Sequence, residues 1–349
     1  MLTRTSRFNK INAHGHLLPY PEQVPAFMKK KKYFWIDEQR KFMHQNDWRR
    51  PITDRSFFLR EKIEWMAKHG IEHEVILNLS QLYCNGINEA DTQSILHFQN
   101  DFNGQVQAEH SDKFTTGFVV QPAHIDQALK EIERCVTQLN MKLLCLSTHY
   151  LTHDGQWVSV ADESCEPIWQ LASEHGLAIE IHPYDAGKMV NLKDQFWRNH
   201  LVWMMAQTAD TFLMYSLKGF AIKYPNVRTC FAHGAMLAQA NIARVNQGVQ
   251  GRPDLFPNTF EPNETMQAKN VFFDSLVHDP LTLDMMIKRV GASQIVWGVD
   301  DPYPLGEMET VENCYPGVLL DDMERQGLIN AAEKSDMMST NTCSWITGH

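Results

Sequence analysis

Short apolar runs alternate with amphipathic stretches along nearly the whole chain. Eight of these runs are rich in Val, Ile, Leu, Phe and Cys and carry few charges: Lys10–Ala13, Glu74–Leu79, Thr115–Val120, Lys142–Ser147, Ala178–Ile181, Arg228–Ala232, Val271–Asp274 and Gln294–Val299. Uninterrupted apolar runs of this length are typical of strands that are buried on both faces, as in a parallel sheet. The pattern therefore predicts eight parallel strands.

The stretches between the strands carry apolar residues at helical spacing. They are Phe57–His69, Ile125–Leu139, Asp162–His175, Phe196–Ala221, Leu281–Val290 and Leu319–Glu333. Gly70 and Gly176 directly follow two of them, as glycine often does at the end of a helix. The alternation predicts an α/β protein with a distorted (β/α)8 barrel, or TIM barrel. We expect residues 1–349 to form one domain of this kind.

Residues Leu17–Arg55 do not fit the alternation. They contain four consecutive lysines, Lys29–Lys32, which we interpret as a solvated face, followed by the aromatic triplet Tyr33–Trp35 and by Asp47–Pro51. We interpret the segment as a small insertion after the first strand that covers the mouth of the barrel. Long loops are predicted at Asn78–Asn88, Thr148–Trp157 and Gly248–Glu264, where barrel enzymes build their specificity.

Composition and charge narrow the class of protein. The 349 residues carry a formal net charge of −10, which argues against non-specific nucleic-acid binding, since that requires clustered lysines and arginines. No apolar run approaches the length of a transmembrane helix, and Met1–Lys10 lacks the apolar core of a signal peptide. We therefore expect a cytoplasmic protein with no membrane partner. The seven cysteines form no Cys-x-x-Cys pair, so free thiols are expected, with Cys145 and Cys230 in the core.

Four of the predicted strands are followed by residues that can bind a metal ion. His14 and His16 follow the first strand, His182 the fifth, His233 the sixth and Asp300 the eighth. In a (β/α)8 barrel the carboxyl ends of all strands meet at one face, which holds the active site. Imidazole and carboxylate ligands suit zinc, which keeps an open coordination position when it is catalytic. The spacing therefore predicts a mononuclear zinc centre.

Residue spacing leaves some roles at this centre open. Because strand residues alternate faces, His14 and His16 reach one ion only where the strand ends and its twist changes. His233 is either a ligand or a general base beside the metal. Asp301 is a rival to Asp300 for the ligand position, since alternation points only one of them inward.

The end of the fourth strand indicates how many ions are bound. In two-metal barrel hydrolases a carbamylated lysine at this point bridges the ions. Here the strand ends at Ser147-Thr148-His149, and Lys142 stands at its opposite end. We therefore expect one metal ion per chain.

With these residues identified, the chain resembles the metal-dependent decarboxylase branch of the amidohydrolase superfamily. The resemblance covers Phe57–Gly348 and the His-x-His start. Its most specific motifs are Thr148-His149, Ile181-His182-Pro183, Phe231–Gly234, Arg252–Leu255, Leu276–Pro280 and Pro302–Glu307. The last of these is highly characteristic of the branch.

The resemblance implies a role for each matched residue in the metal centre. His14, His16, His182 and Asp300 would bind one zinc ion, although another divalent transition metal would suit the same ligands. His233 would be the acid–base residue, and Asp300 would share in catalysis as well as ligation.

The resemblance also implies how substrate is held. Arg244 would bind a substrate carboxylate in the neighbouring subunit, which makes a homodimer the expected assembly. Arg50 in the insertion would bind a second carboxylate, although adjacent Arg49 could take that role, and Tyr184 and Tyr303 would contact substrate. A planar guanidinium fork suits carboxylate recognition.

Several positions depart from the pattern of the branch. The usual His-Ser-His is His14-Gly15-His16, the aromatic residue that follows the aspartate ligand is Asp301, and the tryptophan after His-Pro is Tyr184. The glycine run after the catalytic histidine is cut short at Ala235-Met236, and the insertion is also different. We expect the metal chemistry to be retained despite these changes, and the identity of the substrate to be the property that they affect.

The favoured hypothesis is a zinc-dependent, non-oxidative decarboxylase of an unsaturated dicarboxylate. A hydrolase of a lactone, ester or amide, with the same fold and ligands, is the first alternative. The arginine pair separates the two, because a decarboxylase of a di-acid needs it and a lactonase does not. The second alternative, a non-catalytic metal-binding scaffold, predicts a closed metal site with no residue such as His233 left beside it.

Overall fold

Eight parallel strands form the centre of the molecule in the computed structural model, which describes residues 1–3, 5–184, 186–191 and 193–348. The strands in chain order are β1 (Ile11–His16), β2 (Trp35–Ile36), β3 (Phe42–Gln45), β4 (Trp48–Pro51), β5 (His73–Leu77), β6 (Phe114–Val119), β7 (Leu143–Ser147), β8 (His149–Leu151), β9 (Trp157–Ser159), β10 (Ala178–His182), β11 (Arg228–Phe231), β12 (Val271–Asp274) and β13 (Ile295–Val296). The large sheet has the order β1-β5-β6-β7-β10-β11-β12-β13, with every pair parallel.

The sheet closes on itself between β1 and the residues that follow β13. The amide of Ala13 donates to the carbonyl of Trp297 at 2.8 Å, and the amide of His16 donates to Asp301 at 2.7 Å. In the opposite direction, the amide of Asp300 donates to the carbonyl of His14 at 2.7 Å. The predicted (β/α)8 barrel is therefore confirmed, with its eight predicted strands.

Helices surround the barrel and cover its outer face. They are α1 (Ala26–Lys30), α2 (Leu59–Lys68), α3 (Glu89–Glu109), α4 (Ile125–Thr137), α5 (Glu166–Glu174), α6 (Ala186–Val190), α7 (Met204–Leu217), α8 (Phe220–Lys223), α9 (Met236–Gly251), α10 (Pro262–Met266), α11 (Pro280–Val290), α12 (Val318–Arg325), α13 (Ala331–Ser335) and α14 (Asn341–Thr347). In α4, Ala128, Ile132 and Cys135 form one buried stripe at helical spacing, while most polar residues of the helix lie outside it. No helix among the described residues is long and apolar enough to cross a lipid bilayer. All seven cysteines are free, and Cys145 and Cys230 are buried as expected.

The segment between β1 and α2 forms a small antiparallel sheet of β2, β3 and β4 beside the barrel. Met43 of β3 lies opposite Arg50 of β4, and His44 lies opposite Arg49. Met43 is buried in a second apolar cluster with Phe34 and with Tyr303 from the barrel mouth. The hairpin register therefore turns the two arginines to opposite faces, since neighbouring strand residues alternate.

Some predicted boundaries are wrong. The expected loop Thr148–Trp157 contains β8 and the first residue of β9, and the expected helix Leu319–Glu333 is divided into α12 and α13. The expected helix Phe196–Ala221 is a π-helical turn, Asn199–Trp203, followed by α7 and the start of α8. Short strands and helix breaks of this kind carry little periodicity, which is the signal that sequence reasoning uses.

Candidate metal centre

An irregularity at the end of β1 allows both histidines of the His-x-His motif to face the barrel axis. The pairing of β1 with β5 shifts register between Asn12 and Gly15. The side-chain Oδ1 of Asn12 accepts hydrogen bonds from the amides of His14 and Val299, both at 3.0 Å. The Asn12 side chain therefore takes the place of a backbone acceptor at the irregularity. Side chains of β1 no longer alternate regularly between the two faces of the sheet where His14 and His16 stand.

The first group of donor atoms consists of His14, His16 and Asp300. The two imidazole Nε2 atoms lie 3.2 Å apart, and Asp300 Oδ1 lies 3.2 Å from His16 Nε2 and 3.6 Å from His14 Nε2. Ligands about 2.1 Å from a tetrahedral zinc ion are separated from each other by about 3.4 Å. The spacing of these three buried atoms thus fits a shared metal ion, and Asp300 Oδ1 has no hydrogen-bond partner of its own.

A second group, which shares His14, contains His182 and His233. The ring centres of His182 and His233 are 5.1 Å apart, and each lies within 5.6 Å of that of His14. Nδ1 of His182 donates to the carbonyl of Pro183 at 2.9 Å, which leaves Nε2 for the centre. The structure therefore brings all five predicted residues together, and it leaves His233 close enough to act either as ligand or as base.

Asp274 at the end of β12 completes the centre, and the sequence analysis did not assign it. Its Oδ2 accepts a hydrogen bond from Nδ1 of His14 at 2.7 Å, while its Oδ1 accepts from the amides of Gly234 and Leu276 at 3.0 and 3.2 Å. A carboxylate in this position fixes the ring and the tautomer of a metal-binding histidine. Its place at the end of a predicted strand is the signal that could have revealed it.

The electrostatics of the centre favour a cation. Burial alone would lower the pKa of His14, but the hydrogen bond with Asp274 and the charge of Asp300 raise it to about 9. Burial alone would raise the pKa of Asp300, but His16 and His14 hold it well below its usual range. Carboxylates that stabilise a positive charge on the neighbouring imidazole in this way also stabilise a divalent ion placed among the same nitrogens.

Left-handed backbone conformations position two residues of the centre. His233 has φ 53° and ψ 33°, it is followed by Gly234 at φ 62° and Ala235 at φ 42°, and Asp300 has φ 59°. Non-glycine residues in this region cost on the order of 1–3 kcal/mol each and are concentrated at functional sites. Backbone hydrogen bonds to Asp300 and the contact of Asp274 with the amide of Gly234 hold these conformations in place.

A buried charge network behind the centre explains two of the departures from the family pattern. Lys62 Nζ lies 2.8 Å from Glu74 Oε1 and 2.6 Å from Asp301 Oδ2, and Nε of Arg55 lies 2.9 Å from Asp301 Oδ1. Asp301 therefore points away from the metal, and it is not a rival ligand. A Cβ atom on Gly15 would lie 1.7 Å from Glu74 Oε1, so a serine cannot occupy this position while Glu74 keeps its place.

One pocket opens onto the centre, and it contains most of the predicted substrate-binding residues. Arg50, Tyr184 and Tyr303 line it together with His182, His233 and Asp300, and the remaining lining is largely Met, Leu and Trp. Arg49 is exposed and lies over the ring of Phe42 instead. Arg244 lies exposed on α9 and is not among the residues that line this pocket.

His200 is a further pocket residue that the sequence analysis did not assign. Its Nε2 lies 2.8 Å from Nη2 of Arg50, and its ring stacks on that of Trp197 at 4.8 Å. It stands in the π-helical turn Asn199–Trp203, where no metal-ligand spacing or strand end marks it in the sequence.

A barrel with a His-x-His, His and Asp centre at the carboxyl ends of its strands defines a metal-dependent amidohydrolase fold. The sequence profile of the family described as Amidohydrolase matches residues 11–341, which include every residue of the centre. The chain belongs to this family, and the resemblance inferred from its motifs is confirmed.

Characterised relatives share low but extensive similarity. The chain is 24% identical over 345 residues to 2-amino-3-carboxymuconate-6-semialdehyde decarboxylase of Dictyostelium discoideum, which covers 97% of this chain and 91% of the relative. It is 23% identical over 356 residues to the enzyme of the same name from Caenorhabditis elegans, with 87% and 88% covered.

Solved structures share the fold. 5-Carboxyvanillate decarboxylase from Sphingomonas paucimobilis superposes with a TM-score of 0.75 at 18% identity, covering 97% of this chain and 99% of that one. A dihydroxybenzoic acid decarboxylase from Polaromonas, solved with manganese and the inhibitor 2-nitroresorcinol, gives a TM-score of 0.75 at 15% identity, with 97% of both chains covered.

Proposed function

We propose that this protein is a metal-dependent, non-oxidative decarboxylase of an unsaturated dicarboxylate, and that its substrate is 2-amino-3-carboxymuconate-6-semialdehyde or a close analogue. The observation that carries the proposal is the pocket itself. Among the described residues that line it, Arg50 is the only lysine or arginine, and it shares the pocket with residues of the metal centre and with an apolar and aromatic lining. Such a pocket suits a flat, conjugated molecule with a carboxylate at its far end.

The metal fits the donor atoms described above, and zinc is the ion that we propose, at one per chain. A divalent ion here would lower the pKa of a bound water towards neutrality and polarise a substrate oxygen. The names of the relatives support decarboxylation, and the manganese in a related structure makes the choice of metal a matter for measurement.

His233 is the residue that we assign to proton transfer. Its Nδ1 is buried, so Nε2 is the nitrogen that substrate in the pocket can reach. Burial lowers the pKa of His233 to about 4, so its imidazole is neutral near pH 7 and can accept a proton. The same Nε2 can then return that proton to the carbon from which carbon dioxide departs.

Arg50 is the residue that we assign to the substrate carboxylate furthest from the metal. Its guanidinium lies 4.6 Å from the ring of Tyr303 and 5.2 Å from that of Trp48, so both aromatic rings hold it in place. A fixed guanidinium contributes orientation, which brings the scissile carboxylate to the metal centre. We further propose that Arg244 supplies a second carboxylate contact across a homodimer, as the family resemblance implies.

The test combines metal analysis with turnover. Protein freed of metal and reloaded with zinc or manganese should bind one ion per chain and should consume aminocarboxymuconate semialdehyde with release of one carbon dioxide per molecule. Arg50→Met should raise KM strongly, whereas Arg49→Met, a matched change on the opposite face of β4, should leave it near the wild-type value. Hydrolysis of lactones or esters without carbon dioxide release from any tested acid would instead establish the hydrolase alternative.

A further inference from the structure

Arg50 is held from two sides of the pocket mouth. The insertion contributes Arg50 itself and Trp48, both in β4, and the barrel contributes Tyr303 from the segment after β13. The only side chain that hydrogen-bonds the guanidinium among the described contacts is His200, from the segment between β10 and α7. The two elements that meet at this contact are 150 residues apart in sequence.

His200 is built as an acceptor for Arg50. Its ring is stacked on Trp197 with an angle of 30° between the planes, and it is partly buried. Burial first, and then the charge of Arg50, lower the pKa of His200 to about 4, while Asp194 and Asp300 oppose the shift. A neutral imidazole can accept a hydrogen bond at Nε2, so the Nη2 group of Arg50 donates to it.

We propose that His200 is a positioning residue that orients Arg50 and thereby gives the pocket its preference for a substrate with a second carboxylate. The proposal rests on the assignment of Arg50 to a substrate carboxylate made above. Tyr303 and Trp48 restrict the guanidinium by its faces, and His200 occupies one of its amino groups. The remaining N–H groups are then presented to the ligand in one orientation.

The physical basis is preorganisation. A free arginine side chain samples many rotamers, and binding a carboxylate must restrict them, which weakens binding. With His200 in place, part of that restriction is already made in the protein before ligand binds. Loss of His200 should therefore weaken binding of a dicarboxylate by about tenfold, while a ligand that does not reach Arg50 should be affected little.

Two probes isolate this contact from catalysis. trans,trans-Muconate and sorbate share a six-carbon diene, and sorbate lacks one of the two carboxylates. Their affinities for the metal-loaded protein, measured by calorimetry, give a preference for the second carboxylate without any turnover. We expect the wild-type protein to bind muconate more tightly than sorbate and Arg50→Met to show no such preference. In His200→Ala the ratio of the two affinities should fall about tenfold.

Three further variants separate positioning from general structural damage. In the background of Arg50→Met, His200→Ala should have no further effect on the preference, because it acts through the arginine. His200→Gln should retain much of the preference, because its amide oxygen can accept from Arg50. His44→Ala is the matched control, since His44 also stacks on a tryptophan, Trp35, at 4.8 Å but lies on the other side of the hairpin from Arg50.

Equal effects of His200→Ala with and without Arg50 would overturn the proposal, as would an unchanged preference in His200→Ala alone. If His44→Ala had as large an effect as His200→Ala, the effect of His200→Ala would be explained by lost packing and the proposal would be wrong. The same conclusion would follow if His200→Gln retained no more of the preference than His200→Ala. The result is independent of the reaction. If wild type prefers muconate but decarboxylates no acid, the proposed function fails while the role of His200 stands.

Discussion

Replacing Gly15 with alanine tests the buried network behind the metal centre directly. Gly15 has no positive φ, so its backbone conformation accepts an L-residue. The obstacle is Glu74, whose Oε1, Cδ and Cγ atoms would lie 1.7, 2.5 and 2.9 Å from the new methyl group. Because the surroundings are fully buried, the carboxylate must leave its place, and it then loses Lys62.

The expected magnitude follows from that lost ion pair. Breaking a buried pair by displacing one partner typically costs about 3–5 kcal/mol, and we expect Gly15→Ala to lower the free energy of unfolding by about this amount. Glu74→Ala removes all three obstructing atoms. In that background Gly15→Ala should cost less than about 1 kcal/mol, so the two changes should be strongly non-additive.

Urea unfolding of the metal-free protein measures the stability of the four members of this cycle, and zinc titration of the same proteins measures metal binding separately. The metal-free form separates folding stability from metal binding. Gly248→Ala is the matched control, because a Cβ on this glycine of α9 meets nothing within 4 Å, and alanine there should be neutral or slightly stabilising. A cost of Gly15→Ala that is the same with and without Glu74 would refute the reasoning.

The remaining predictions concern the metal centre and its neighbour. His233→Ala should retain its metal and lose about 10²–10⁴-fold in turnover, and loss of the metal would make His233 a ligand instead. Asp274→Asn should weaken zinc binding about 10- to 100-fold, measured by competition with a chelator, because the support of His14 is lost; unchanged affinity would contradict that role. Arg244→Ala and His233→Ala, both inactive alone, should regain about a quarter of wild-type activity when dissociated and mixed, and no recovery in proven mixed dimers would exclude a shared site.

The strands and the candidate metal-binding residues at their carboxyl ends could be predicted from sequence because each leaves a local signal. A buried parallel strand is a continuous apolar run, and a functional residue at its carboxyl end follows directly in the chain. His182 after β10 and Asp300 after β13 are examples. The fold and the five candidate residues could be predicted from this regularity alone, because it is repeated around the barrel.

Helix α3 shows what such reasoning misses. Much of the face that it buries is polar: Asn100 and Asn103 donate to the carbonyls of Val119 and Gly117 in β6, and Gln107 accepts from the amide of Thr116. These side chains satisfy the backbone of the strand, so they are buried without being apolar. A helix that packs in this way has only weak apolar periodicity, and its sequence resembles a solvated segment.

The functional residues that were missed share a different property, which is that their partners are distant in sequence. Asp274 acts through His14, His200 through Arg50, and Glu74 through Lys62. No pattern within one segment predicts such a contact, because it is defined only when the barrel closes or when two loops meet. Which residue type stands at a strand end can be read from the local sequence, whereas the orientation of its side chain depends on contacts made only in the folded protein.

The departures from the family pattern fall into two groups with different consequences. Gly15 and Asp301 flank the candidate metal ligands, and both contact one network of two cations, Lys62 and Arg55, and two anions, Glu74 and Asp301. The donor atoms of the centre remain at distances that suit a shared metal ion. Tyr184 and the insertion that carries Arg50 instead contribute to the wall of the pocket that opens onto the centre. Changes in the first group must preserve ligand geometry, because the charges are buried and mutually dependent. Changes in the second group lie in the pocket wall, so we expect the identity of the substrate to vary there while the metal chemistry is retained.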